Sequence, residues 1–93
     1  ILISEGFATG ASLHEATGEM TVIAFDANNL LPAAQKIRKK YRDIDIIVCG
    51  DNDLSGVGQK AANEAAAAVG GLVHIPDVPG SDWNDILSGG RHD

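Results

Sequence analysis

The chain has 93 residues, 13 of them acidic and 7 basic, for a formal net charge of −6, and it carries a single cysteine. That balance excludes adhesion to nucleic acid by bulk positive charge, and one thiol excludes an internal disulfide framework. No apolar run approaches the roughly 20 residues that span a bilayer, and the opening ILISEGF lacks the basic flank of a secretory signal. The expectation is one compact domain with a modest core, in a reducing, cytoplasmic setting, as an excised part of a longer protein.

In chain order, Ile1 to Ser4 is short and mostly apolar and predicts a first strand, ended by Glu5-Gly6. A helix follows over about Ala8 to Thr17, with Ala8, Ala11, Leu13 and Ala16 on its inner side and Gly18 as its stop. Thr21 to Phe25 is β-branched and aromatic and predicts a second strand. Asp26-Ala27-Asn28-Asn29 then supplies several side chains able to cap the next helix. Leu30, Ala34, Ile37 and Tyr41 recur at spacings of four, three and four, an amphipathic helix with Pro32 in its first turn. Its outer face carries Lys36, Arg38, Lys39, Lys40 and Arg42.

Ile44 to Cys49 reads as a third strand, apolar on both faces as parallel sheets require. It breaks into Gly50-Asp51-Asn52-Asp53. A helix is predicted from about Gly56 to Val69, with Val57, Ala61, Ala65 and Val69 as its inner stripe, ended by Gly70-Gly71. Leu72 to Ile75 is the fourth strand, closed by Pro76. Asp77 to Ser81 is a loop turning at Pro79-Gly80. Ser81 or Asp82 caps a last helical turn through Trp83, Ile86 and Leu87, and Gly89 to Asp93 is a frayed end or a linker. The alternation predicts a small α/β domain: a four-stranded, mainly parallel, Rossmann-like sheet with right-handed crossovers and helices on both faces.

Acidic residues recur where strands end: Glu5 after the first, Asp51 and Asp53 after the third, Asp82 and Asp85 soon after the fourth. Open α/β sheets bind ligands at the carboxyl ends of their strands. If the first, third and fourth strands are neighbours, these carboxylates converge on one crevice. Mg²⁺ takes oxygen ligands and keeps several waters, so one or two carboxylates plus substrate phosphates suffice. The competing account is plain: Asp is common in turns and helix caps. Clustered carboxylates repel one another, so a cluster without a cation is costly, and this favours the metal account.

Ile3-Ser4-Glu5-Gly6-Phe7, then Gly50-Asp51-Asn52-Asp53 leading into Gly56-Val57-Gly58-Gln59-Lys60-Ala61-Ala62, then Gly80-Ser81-Asp82-Trp83-Asn84-Asp85-Ile86-Leu87 form an ordered set. In it the chain resembles the Toprim domain, the catalytic domain shared by bacterial-type primases, type IA and type II topoisomerases and some nucleases. The likeness covers nearly the whole chain and is closest to primases of plasmid and phage type. Two positions depart from the family: Thr9 stands where cellular replicative primases carry an Asp, and Asn84 where a further acid is expected.

The resemblance implies that Asp51, Asp53 and Asp82 hold one or two Mg²⁺ or Mn²⁺ ions, with Glu5 as a ligand or as general acid/base and Asp85 as a further ligand or a helix cap. It implies Glu5, Asp51 and Asp53 as catalytic residues, in template-directed primer synthesis from nucleoside triphosphates on single-stranded DNA. It also implies a helicase or flanking primase domains as partners. Lys60 could reach a phosphate from the helix after the acidic pair, or be an exposed helix lysine. The basic cluster could track a template backbone or be a solvated face. Trp83 could stack on a base or pack with Ile86 and Leu87. Asn28 and Asn29 could touch nucleotide, though capping explains them more simply. His14, His74 and His92 show no ligand spacing, and Cys49 sits inside a strand. Other readings stay open: a Toprim-type nuclease or topoisomerase-like chemistry, and a non-catalytic module that binds nucleic acid or a partner. A receiver-like domain fits poorly, because it wants its acid pair on the first strand.

Overall fold

A computed structural model describes residues 1–76. Within them the elements are β1 (Leu2–Ser4), α1 (Phe7–Thr17), β2 (Thr21–Ile23), a 3-10 turn (Ala27–Asn29), α2 (Leu30–Lys40), β3 (Ile47–Cys49), α3 (Val57–Val69) and β4 (Leu72–His74). The strands form one parallel sheet in the order β2-β1-β3-β4. The predicted α/β class and parallel sheet are present, and β1, β3 and β4 are neighbours. The loop and helical turn expected after Pro76, with Asp82, Trp83 and Asp85, lie outside the described residues. No helix among the described residues is long and apolar enough to cross a membrane.

Alternation along the strands divides the core. Ile3 and Val48 point to one face and are fully buried there with Leu30, Ala34 and Ile37 of α2 and Ala62, Ala65, Ala66 and Val69 of α3. Each large aliphatic side chain removed from water in this way contributes about 1.5–3 kcal/mol. Leu2 and Cys49 point to the other face and meet Leu13 of α1. That face is covered less completely. An apolar groove of about 640 Å³ runs beside α1, floored by Leu2, Ile47 and Cys49. Where α1 does cross the sheet it comes very close: a Cβ on Gly10 would stand 2.6 Å from Ser4 Oγ and 2.8 Å from Ile23 Cγ1.

Five expectations are corrected in detail. The inner side of α1 is Thr9, Gly10 and Leu13, while Ala8, Ala11 and Ala16 are exposed, because the helix approaches the sheet through Gly10. The second strand ends at Ile23 rather than Phe25, because Phe25 turns into the left-handed region (φ 70°), where the residue is 74% exposed. The third strand begins at Ile47 rather than Ile44, since residues 42–45 are spent returning from α2; Ile46 is buried but Ile44 is exposed. The fourth strand is one residue shorter than expected, ending at His74. The buried stripe of α3 is Gly58, Ala62, Ala65, Ala66 and Val69, while Val57 is exposed. With alanine on nearly every side from 61 to 68, hydrophobicity does not choose the face, and the way the preceding loop grips the helix does.

Arg38 leaves the predicted basic face. Its Nε donates to Val69 O (2.9 Å), and its Nη1 donates to the carbonyls of Tyr41 (3.1 Å), Arg42 (3.1 Å) and Ile44 (2.7 Å). One guanidinium thereby satisfies carbonyls at the C-terminal ends of both α2 and α3. Lys36, Lys39, Lys40 and Arg42 remain exposed. In a parallel βα arrangement the helices return against the strand direction. These cations therefore sit toward the amino edge of the sheet, at the favourable end of the α2 dipole and away from the acidic strand ends.

Candidate metal centre

Parallel pairing brings the ends of β2, β1 and β3 side by side, with Ser4 level with both Ile23 and Cys49. Asp26, Glu5 and the Asp51–Asp53 loop leave the sheet there. Glu5 is half-buried, and no described residue donates a hydrogen bond to its carboxylate. Burial, then the nearby charge of Asp26, then that of Asp53, raise its pKa above the ordinary carboxylate value. Its backbone is tightly held, because Glu5 O accepts from Phe25 N at 2.7 Å.

Asp53 is surrounded differently. Its Oδ1 accepts from Gly56 N (2.9 Å) and Ser55 Oγ (3.0 Å), and its Oδ2 from Gly58 N (3.0 Å). These bonds satisfy backbone donors that the start of α3 would otherwise leave orphaned, and they place a carboxylate against the positive end of the helix dipole. Close approach requires a glycine at position 58: a Cβ there would lie 2.6 Å from Asp53 Oδ2. Asp51 is half-buried, with Oδ1 shielded from solvent. Between the two acids, Asn52 Nδ2 donates to Pro76 O (2.7 Å), and Asn52 Oδ1 accepts from Gln59 Nε2 (2.8 Å).

The donor set is chemically right for a hard cation: carboxylate oxygens of one sign, held near enough to raise the pKa of one of them. Among the described residues, however, no three of His, Cys, Asp and Glu stand close enough together to hold an ion. Glu5 and Asp53 are within electrostatic reach but do not close into a cage, and Asp82 and Asp85 lie outside the described residues. Asp26, read from sequence as a cap, does cap: its Oδ1 accepts from Asn28 N (2.8 Å). It also faces Glu5 electrostatically, which its place directly after a strand could have signalled.

Lys60 is exposed and borders a small cleft of about 280 Å³ with Asn28, Val57, Ala61 and Glu64. That cleft is lined by none of Glu5, Asp51 and Asp53. Asn29 is occupied structurally, its Nδ2 donating to Ala24 O (3.0 Å). Burial pushes the Cys49 thiol up to about 11, which leaves it protonated and unreactive at neutral pH.

The family model described as Toprim domain matches residues 1–91. Two curated proteins of Escherichia coli, both called DNA primase TraC, are 41% identical to 82% of this chain. The chain spans only 8% and 6% of their respective lengths. No solved structure matches it.

Proposed function

The chain belongs to the Toprim family, and from that premise we propose that it carries the carboxylate site of a primase, for metal-dependent nucleotidyl transfer in primer synthesis on single-stranded DNA. The observation that supports this most is the meeting of Glu5 and the Asp51–Asp53 loop at the carboxyl edge of adjacent strands, with the Glu5 carboxyl raised by burial and by neighbouring carboxylates. The primase-named relatives support the choice of primase over nuclease or topoisomerase chemistry. The catalytic unit in this reading is residues 1–93 of a longer primase, working with flanking domains or a helicase that hold the template.

Asp51, Asp53, Asp82 and Asp85 are the residues that would hold Mg²⁺ or Mn²⁺, with Glu5 beside them. The cation supplies neutralisation of the triphosphate and of the charge that develops during phosphoryl transfer. The chain's own contribution is placement. The Gly56 and Gly58 amides hold the Asp53 carboxylate at the helix start, and β1 holds Glu5 next to it. A carboxyl with a raised pKa is suited to take or return a proton at the attacking 3′-hydroxyl. Lys60 would reach triphosphate only from the side of the Asn28 cleft.

The test is a Mn²⁺ or Mg²⁺ titration of the 93-residue chain followed by NMR, repeated on Asp51→Asn, and then with nucleoside triphosphate and single-stranded DNA added. The expected result is metal-dependent shifts at Glu5, Asp51, Asp53 and Asp82, lost in the variant, with a further response to triphosphate. If millimolar metal shifts nothing, the acids are helix caps and turn formers, and the domain is a binding module.

A further inference from the structure

We propose that Gln59 is the positioning residue of the acidic loop. In this role it acts through Asn52 to fix the loop that carries Asp51 and Asp53, and to tie it to the chain leaving β4. The metal arm of the proposal rests on the function proposed above, and the geometric arm does not.

Hydrogen-bond direction carries the argument. Pro76 O is a backbone carbonyl on a buried residue and can only accept, so Asn52 must turn its NH₂ toward it, as the 2.7 Å contact shows. Asn52 Oδ1 then faces Gln59. Asp53 O, the other group within reach of Gln59, is also an acceptor. Gln59 Nε2 donates to both, at 2.8 Å each. Two backbone carbonyls thus set both amide orientations, leaving no freedom to flip either one.

The cost of this arrangement is visible. Gln59 Oε1 is shielded from solvent and has no hydrogen-bond partner among the described residues. The two donor bonds hold the amide in this orientation although it leaves one acceptor orphaned, since a flip would set Oε1 against two other acceptors. Gln59 sits within the first turn of α3, the helix whose opening amides grip the Asp53 carboxylate. The carboxylate of Asp53 is therefore fixed by the helix backbone and its carbonyl by the helix side chain. Asn52 extends the same hold to Pro76, where the chain departs toward Asp82 and Asp85. The relay joins the second acidic segment to the approach to the third.

Gln59→Leu and Asn52→Ala, singly and together, test this in the 93-residue chain, with Asn63→Ala as the control. Asn63 Nδ2 donates to Gln59 O (2.8 Å) and takes no part in the relay. The first readout needs no metal: hydrogen exchange at the Gly56 and Gly58 amides against amides near the C-terminal end of α3. Loss of one hydrogen bond to the loop predicts exchange about tenfold faster at Gly56 and Gly58. The far end of α3 stays unchanged, and the double variant is no faster than the faster single one, because both substitutions cut one chain. Unchanged exchange at both glycines, or equal acceleration throughout α3, overturns the proposal.

The second readout is Mn²⁺ affinity by electron paramagnetic resonance. Gln59→Leu is expected to weaken it by about tenfold or more, as loss of an outer support to a metal ligand typically does, and Asn63→Ala to leave it unchanged. If the unsubstituted chain and Asp51→Asn bind Mn²⁺ equally poorly, the proposed function fails. The exchange result still decides the role of Gln59. If the unsubstituted chain binds Mn²⁺ and Gln59→Leu binds it equally well, positioning of the metal site is refuted.

Discussion

Glu5 and Asp53 stand at the ends of adjacent strands, carry the same charge, and live in opposite surroundings. Asp53 is embedded in donors: two backbone amides and a hydroxyl approach its two oxygens within 3.0 Å. No described donor reaches the Glu5 carboxylate, and burial with two neighbouring carboxylates raises its pKa. One acid is part of the architecture of α3, and the other is held by its backbone, with no described donor on its head group. Proximity at one edge of the sheet therefore does not give two acids the same surroundings. Asp53 is fixed by its donors, and the Glu5 carboxyl is raised by burial and by neighbouring carboxylates.

The comparison can be broken hardest on the Asp53 side. Gly58→Ala forces a methyl group into the space of Asp53 Oδ2, and should lower stability by about 2–3 kcal/mol, as overpacking combined with loss of a hydrogen bond does. Urea unfolding monitored by circular dichroism measures it. Asp53→Ala removes the grip without the clash and should cost about 1–2 kcal/mol, the upper part of the range for helix caps. In the same assay Asp53→Asn should retain part of that stability. If Asp53→Ala costs nothing, its bonds are incidental and the contrast with Glu5 collapses.

The Glu5 side responds in the opposite direction. Phe25 holds a left-handed backbone conformation while its amide bonds Glu5 O, and Phe25→Gly should stabilise the fold by about 1 kcal/mol by relieving that strain. The smallest expected effect is that of Glu5→Gln. A raised carboxyl pKa means that the folded state binds more protons than the unfolded one, so stability falls as pH rises through the folded pKa. Glu5→Gln should therefore be slightly more stable than the unsubstituted chain at neutral pH, by roughly a few tenths of a kcal/mol given the solvent screening of this half-exposed group. The gain should vanish below the ordinary carboxylate range, and comparing melting temperatures across pH reveals it. A Glu5→Gln chain less stable at neutral pH would mean that the carboxylate has a stabilising partner.

Much of the molecule was legible from residue pattern. The strand and helix order followed from apolar runs and glycine stops. Of the expected stripe, Leu30, Ala34 and Ile37 are buried as spaced, while Tyr41 follows the end of α2 and is half-buried; Gly18 and Gly70 end their helices in the left-handed conformation. The acids at strand ends stood out because a short apolar run followed by Glu-Gly or Asp-x-Asp is a local signal. The face of α3 was legible only in part: Ala65 and Val69 are buried as expected and Val57 is not, because alanine has no preferred side. The fate of Arg38 was not legible: three of its carbonyl partners are local, but Val69 O lies on α3 and only folding brings it near.

By itself, the sequence determined the α/β class, the parallel arrangement and the set of candidate carboxylates. Those depend on interactions between residues close in the chain and on the handedness of βαβ units. Tertiary structure decided which neighbour each carboxylate meets. It joined Gln59 and Asn52 to Pro76 and set Asp26 and Asp53 near Glu5, whereas the donors around Asp53 itself come from its chain neighbours Ser55, Gly56 and Gly58. The physical reason is that a carboxylate's role depends on donors and charges within a few ångströms. For Asp53 those are local, but for Glu5 the parallel sheet brings them from Asp26 and Asp53, far along the chain.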